Sequence, residues 1–282
     1  MKEGEVMISN EQKERAKRFY AMHQSEKMFV LPNVWNVGSA YVFEKQGFKA
    51  VATSSAGIAY DLGHPDGEDI SFEDLLEVVK RITARISIPL SVDFERGYGE
   101  SVQEVKENAK RLILAGAIGC NIEDGLPNGD LLPVDLQVEK IQALVELKQE
   151  LGIDFVINAR TCTYWLNVGD DDEKMTVASA RGNAYAKAGA DCIFIPGAMD
   201  EQVIAKLKAN IPAPINIILN GECNDFDKLE EIGVRRLSVG SAPVRYIYNE
   251  TIKMASDLAN NEVKPLIDNT FTYGKANEYF RT

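Results

Sequence analysis

The feature that most constrains this chain is a recurrence. Eight short apolar segments follow one another, each succeeded by a stretch with helical spacing: Met28–Trp35, Ala50–Ala56, Ile88–Glu95, Gly119–Asp124, Phe155–Thr161, Cys192–Gly197, Pro214–Leu219 and Arg236–Ser241. They run continuous rather than alternating, the pattern of parallel strands covered on both faces. The intervening helical patterns are Ser39–Gln46, Ser71–Ile86, Val102–Ala115, Asp135–Leu151, Met175–Ala188, Glu201–Ala209, Asp225–Ile232 and Val244–Leu258. Gly116, Gly152, Gly189 and Gly233 stand where helices end in a left-handed cap. A further helix is expected over Ser9–Gln24, with Ser9 as its cap.

Eight strand-then-helix units predict an α/β chain folded as a (β/α)8 TIM barrel, with an open doubly wound sheet as the alternative. The whole chain, 1–282, reads as one barrel domain with its core at about residues 28–258. The tail, Asn260–Thr282, carries Pro265, Phe271, Tyr273, Tyr279 and Phe280. Aromatics this dense are expected to pack on the chain's own barrel or on a neighbouring copy's.

The formal charge of −12 argues against nucleic acid or an anionic membrane as a partner. An anionic substrate would have to be met by a local cation or arginine. Cys120, Cys162, Cys192 and Cys223 are widely spaced, and only two histidines accompany them, so neither a disulfide framework nor a zinc site is expected. That usage points to a reducing, cytoplasmic setting. The opening MKEGEVMISNEQ is polar and acidic, unlike a signal peptide, and no apolar run approaches membrane-spanning length.

In a TIM barrel the chemistry sits at the C-terminal strand ends. Standing there are Trp35 and Asn36; Ser54 and Ser55; Asp93 and Glu95; Glu123 and Asp124; Arg160; Pro196; Asn220 and Glu222; and Ser241. Asp93 and Glu95 are two residues apart and share a face, so their charges need a proton, a basic partner or a hard cation. Mg²⁺, with Mn²⁺ as its substitute, suits such oxygen ligands; an exposed acidic strand end is the plain alternative. An acidic cluster facing Arg160 suits a small carboxylate- or phosphonate-bearing substrate, and a structural Arg160–Glu123 ion pair is the competing reading. His64 reads as a solvated loop histidine, with an acid role as the alternative, and Cys162, two residues after Arg160, as a small buried hydrophobe, with a place facing the site as the alternative. Tyr98 is expected to orient the turn over the cation, with plain packing as the alternative. With no GxGxxG cluster, a dinucleotide is unsupported.

At these residues the chain resembles the isocitrate lyase/phosphoenolpyruvate mutase superfamily. The resemblance runs from Leu31 to about Gly240, through NVGSAYVFEKQGFKAVATSSAG, GHPDGEDISFEDL, SVDFERGYG, AGAIGCNIEDG, INART and AGADCIFIPGA. It implies that Asp93 ligates Mg²⁺ directly while Glu95 and Glu123 act through water. It also implies that Ser54, Ser55 and Ala56 hold the substrate's acid group, that Arg160 grips it, and that Asp66 lies near the reacting centre. Trp35 and Asn220 are further candidates for the pocket wall. The family fold exchanges its last helix between protomers, which implies a homodimer or homotetramer and gives the aromatic tail a place.

The chain departs from the family pattern in the loop after the Glu123 strand. There the lyases carry a Lys-Arg-Cys-Gly-His motif whose Cys is the acid, whereas Gly125–Asp135 reads GLPNGDLLPVD. Ala52 replaces an aromatic common in relatives, and Pro196 stands where mutases have a histidine. The expected function is Mg²⁺-dependent lysis of a C–C or P–C bond in a small 2-oxo or 2-hydroxy acid, through a pyruvate-enolate-like intermediate. The alternatives are phosphonomutase or phosphonopyruvate hydrolase chemistry, or a barrel that binds acids without turnover.

Overall fold

The structure, a computed structural model, describes residues 8–281 and divides into two compact units, one ending at Ser241 and one beginning at Ala242. The first unit holds every strand. In chain order these are β1 (Phe29–Leu31), β2 (Asn33–Val34), β3 (Val51–Thr53), β4 (Leu90–Asp93), β5 (Gly119–Glu123), β6 (Val156–Arg160), β7 (Cys192–Ile195), β8 (Ile215–Ile218) and β9 (Arg236–Ser238). All pairings are parallel, in the order β1-β9-β8-β7-β6-β5-β4-β3-β2.

β1 and β2 are one run of chain divided at Pro32, which has no N–H to give the ladder. Its carbonyl still accepts from Ala52 N at 2.9 Å. β1 pairs with β9 and β2 with β3, so this single segment joins the two edges of the sheet. The result is the (β/α)8 barrel, and the open sheet is excluded.

The helices of this unit are α1 (Asn10–Gln24), α2 (Val37–Lys45), α3 (Ser55–Asp61), α4 (Phe72–Thr83), α5 (Val102–Leu114), α6 (Val134–Leu151), α7 (Asp171–Ala188), α8 (Glu201–Asn210) and α9 (Phe226–Ile232). Their starts are written locally. Ser71 with Asp74, Ser101 with Glu104 and Asp170 with Glu173 each form a capping box that satisfies orphan N–H groups at both positions. α4 buries Leu75, Leu76, Val79 and Ile82 along one stripe. Gly116, Gly152, Gly189 and Gly233 take φ of +103°, +59°, +105° and +98°, the left-handed caps expected of them.

Ser9 caps α1 through Gln12 N. Phe19 of that helix comes so close to Gly119 at the start of β5 that a Cβ there would lie 3.0 Å from its ring, so α1 packs against the N-terminal end of the barrel. One expectation is corrected: the apolar run Ala50–Ala56 is not strand throughout. β3 ends at Thr53, and Ser54 turns the chain into α3 by accepting from Gly57 N at 3.1 Å.

The barrel interior is polar in its middle layer. Asn33, Ser91, Asn121, Asn158, Asn216, Arg236 and Ser238 are all buried. Asn158 Nδ2 donates to Asn121 Oδ1 at 2.7 Å between adjacent strands, and Arg236 Nη2 reaches the same oxygen at 3.3 Å from β9.

The second unit consists of α10 (Ala242–Ala259), α11 (Lys264–Ile267) and α12 (Tyr273–Arg281). α10, the helix that follows the last strand, belongs to this unit rather than the first. Phe271 packs edge-on against Tyr279, with ring centroids 5.9 Å apart. Tyr246, Ile252, Ile267 and Tyr273 are exposed. No helix among the described residues is long and apolar enough to cross a membrane, and the four cysteines are buried and free.

Candidate active site

Two adjoining cavities open at the C-terminal ends of the strands, with room for about 70 Å³ and about 140 Å³, enough for several waters each. The first is lined by Ser54, Ser55, Ala56, Asp66, Asp93 and Arg160, with Trp165, Phe194, Pro196 and Ser241 among its other walls. The second shares Ser55, Asp66, Arg160 and Trp165 and adds Glu95, Glu123, Arg96, Leu126 and Cys162.

Asp93 ends β4 and is 9% exposed, not a solvated strand end. Its main chain is fixed by Thr53, whose Oγ1 accepts from Asp93 N at 2.7 Å. Its carboxylate accepts from Ser55 N at 3.1 Å and from Asn121 Nδ2 at 3.3 Å. Glu95 follows in a left-handed conformation, φ +48°, which turns its side chain toward the loop that carries Asp66. It accepts from Glu68 N at 2.8 Å and from the Tyr98 hydroxyl. Tyr98 thus reaches the Glu95 carboxylate, and its ring also packs against Phe72 and Phe94, the alternative offered for it.

Glu123 at the end of β5 faces Arg160 at the end of β6, their residues in register and their charges 2.7 Å apart. The guanidinium stands 5.7 Å from the ring centroid of Trp165 and 5.7 Å from that of Phe194. The ion pair that sequence reading offered as a structural alternative thus forms, and it forms in the wall of the cavity.

The carboxylates sense one another. Burial, with Asp93, Asp66 and Glu123 adding repulsion, lifts Glu95 to about 8 although Tyr98's hydrogen bond pulls it back. Burial lifts Glu123 to about 7 against the pull of Arg160, with Asp93 pushing the same way as burial. Asp66 is also raised, first by burial and then by Asp93, while Ser55 and Arg160 oppose the shift. Such mutual repulsion marks a site whose negative charge exceeds its resident positive charge.

Among the described residues no three His, Cys, Asp or Glu side chains close around a point as a ready metal cage. The donor set is oxygen-only, acidic and short of countercharge, so the residues fit Mg²⁺.

Residues 19–259 match the family model for Phosphoenolpyruvate phosphomutase. The chain belongs to that family. An uncharacterized protein of Mycobacterium tuberculosis (strain ATCC 25618 / H37Rv) is 35% identical to it over 225 residues, 80% of this chain and 82% of that one. The 2-methylisocitrate lyase of Escherichia coli (strain K12) is 33% identical over 194 residues, 66% of this chain and 62% of the lyase. A crystal structure from Burkholderia cenocepacia J2315, provisionally described as a lyase/mutase, has a TM-score of 0.90 at 30% identity, over 97% of this chain and 98% of that one. The chain is thus an enzyme of the isocitrate lyase/phosphoenolpyruvate mutase superfamily, as its motifs suggested.

Within this phosphomutase-family barrel, Ser54, Ser55, Ala56, Asp66, Asp93, Glu95, Glu123 and Arg160 all line one or both cavities. Trp35 and Asn220 line neither. Trp35 sits behind α3, where a Cβ on Gly57 would lie 2.8 Å from its own Cβ. Asn220 spends its amide oxygen on Glu222 N at 2.8 Å and Cys223 N at 3.2 Å, shaping its own turn.

Asp124 turns away from the cavities. It takes hydrogen bonds from Cys162 N at 2.7 Å, Tyr185 Oη at 2.6 Å and Arg181 Nη1 at 3.0 Å. His64, exposed, pairs with Asp69 at 2.8 Å. Sequence reading missed Trp165, which follows Arg160 by five residues in a loop where no periodicity marks it. It also missed Asn121 and Thr53, whose polarity inside buried strands was the available signal.

The loop Gly125–Asp135 folds back on itself. Gly125 bridges Leu131, Leu126 N donates to Asp130 O at 2.9 Å and Leu132 N to Asp124 O at 2.7 Å. Its cavity-lining residues are Gly125 and Leu126, neither of which carries an acid.

Proposed function

We propose that this family member is a Mg²⁺-dependent lyase, with Mn²⁺ able to substitute, that cleaves a C–C or P–C bond in a small 2-oxo or 2-hydroxy acid through a pyruvate-enolate-like intermediate. The observation that carries the reading is the cavity wall itself, where Asp66, Asp93, Glu95 and Glu123 converge and Arg160 is paired to Glu123 at 2.7 Å. Asp93, Glu95 and Glu123 are the residues that would hold the ion. Bound there, Mg²⁺ supplies positive charge to the substrate's carboxylate and carbonyl oxygens as negative charge develops.

The chain's own groups do the rest. Arg160, beside Trp165 and Phe194, offers a planar guanidinium to the substrate's acid group. The turn Ser54–Ser55–Ala56 forms the opposite wall. Asp66 lines both cavities and is not needed for the ion, so it is assigned the proton that moves to or from the carbon next to the carbonyl. The folded-back loop and Trp165 restrict water at the mouth. The small cavities support a compact substrate carrying a carboxylate or phosphonate.

The exposed apolar residues of the second unit support a homodimer or homotetramer formed by exchanging that unit. The free, buried cysteines support a cytoplasmic setting.

The test is a coupled assay for pyruvate released from oxaloacetate, phosphonopyruvate and 2-methylisocitrate, with Mg²⁺ and after chelation. Turnover of one of them that needs Mg²⁺ and is abolished in Asp93→Ala is expected. A fully active Asp93→Ala protein would defeat the assignment. No turnover together with tight oxalate binding would favour an acid-binding barrel, the reading supported by a loop that presents only Gly125 and Leu126 to the cavity.

A further inference from the structure

Arg236 lies wholly inside the barrel, among the largest side chains with no exposure. Among the described residues it forms no ion pair, and its Nε and Nη1 have no hydrogen-bond partner. A guanidinium held this way is costly to desolvate. Burial pushes its pKa down to about 10, and Asp93 is the carboxylate whose charge acts against that shift. Among the described residues its guanidinium makes one hydrogen bond, from Nη2 to Asn121 Oδ1 at 3.3 Å.

That bond has a directional consequence. Asn121 Oδ1 also accepts from Asn158 Nδ2 at 2.7 Å, but an asparagine amide can present oxygen or NH₂ to a neighbour equally well. Among the described residues Asn158 Oδ1 has no partner to fix its orientation. Arg236 differs because a guanidinium has donors and no acceptor. It forces Asn121 to point its oxygen inward, and the amide NH₂ then faces outward, where it donates to Asp93 Oδ1 at 3.3 Å.

We propose that Arg236 is a positioning residue for the cation site: by claiming the Asn121 oxygen from within the barrel, it aims the Asn121 NH₂ at Asp93 and fixes that carboxylate for its ligand. The inference rests on the Mg²⁺ reading above and assigns a role to a residue that touches neither substrate nor ion. Donor-only Arg236 and the acceptor-only Asp93 carboxylate select the same Asn121 orientation from its two sides, and Arg236 is the member of the three that lies away from the cavities.

The experiment measures Mn²⁺ affinity of the purified protein by electron paramagnetic resonance, alongside its thermal unfolding. Arg236→Gln offers an acceptor as well as a donor, so it releases the Asn121 amide; affinity should fall about tenfold or more, the usual cost of losing an outer-shell partner. Arg236→Lys keeps donors only and should restore affinity to within about threefold of the parent. Asn121→Ala, with Arg236 in place, should lose as much as Arg236→Gln, and the double variant no more than either. If Arg236→Gln does not fold, the Asn121→Ala and Arg236→Lys results decide.

Unchanged Mn²⁺ affinity in Asn121→Ala would overturn the inference while leaving the cation reading intact. So would a loss in Arg236→Gln confined to thermal stability. A parent protein that takes up no Mn²⁺ would overturn both.

Discussion

The Glu95 carboxylate holds the main chain of Glu68, and the Glu68 carboxylate holds the main chain just beyond Glu95. Glu68 N donates to Glu95 Oε1 at 2.8 Å, while Glu68 Oε1 accepts from Arg96 N at 2.8 Å and Tyr98 N at 3.3 Å. Both residues take left-handed φ, +60° and +48°. The exchange ties the loop carrying Asp66 to the end of β4, so the proposed proton carrier and the proposed cation ligands are placed as one piece. Arg96 completes the tie, its Nη2 2.8 Å from Glu68 Oε2.

Glu68→Ala removes three acceptor contacts from one interior corner. We expect a loss of about 1–3 kcal/mol in stability and a KM rise larger than the fall in kcat, since the loop loosens before chemistry begins. Thermal unfolding and steady-state kinetics check both.

Arg160→Lys keeps the charge and loses the planar fork and its place beside two aromatic rings. The expected result is a fall in kcat/KM of about a hundredfold, with the Glu123 pair only partly maintained. Arg160→Met leaves Glu123 buried without its partner and should cost about 3–5 kcal/mol of stability as well.

Trp165 is 56% exposed although it walls both cavities. In a Trp35→Phe background it is the remaining tryptophan of the two in the sequence. Oxalate binding should cover the indole and shift its emission to shorter wavelength. Trp165→Ala should weaken oxalate by about threefold to tenfold, the loss of a cation–π wall on Arg160. Titration with oxalate reads both.

His23 sets an acid limit. It is buried between Phe19 and Phe29, with Nδ1 2.9 Å from Phe19 O and Nε2 without a partner among the described residues. Burial, then the charge of Arg236, depresses its pKa from 6.5 to about 3. The unfolded chain takes up a proton near 6.5 that the folded protein refuses, so this contribution to stability is complete above that pH and drains away as pH falls toward 3. About 2 kcal/mol should be lost from this group between pH 7 and pH 5. His23→Phe should flatten that part of the profile in urea unfolding.

Asp124 serves three donors in the interior, so Asp124→Ala should strand Arg181 and destabilise by about 3–5 kcal/mol. Calorimetry of the variant gives the value directly.

The sequence by itself determined the run of strand-then-helix units, and the pairings of β1 with β9 and β2 with β3 decided between a barrel and an open sheet. Strand and helix periodicities, capping residues such as Ser71 and Ser101 and the left-handed glycines are local features, and eight units of one kind leave few ways to bury both faces of a parallel sheet. It also located Asp93, Glu95, Glu123 and Arg160, because strand order and strand-end position follow from the same periodicity.

What only the tertiary structure decided is which polar groups face the cavity and which face away. Glu123 and Asp124 are adjacent in sequence, yet one meets Arg160 in the cavity wall and the other is consumed by Cys162, Tyr185 and Arg181. Trp35 was placed by strand position and lies behind α3, while Trp165, on a loop without periodicity, walls the cavities. Arg236 reaches Asn121 from a strand more than a hundred residues away. Such contacts depend on how the closed sheet turns its side chains inward, and no spacing along a single strand records that.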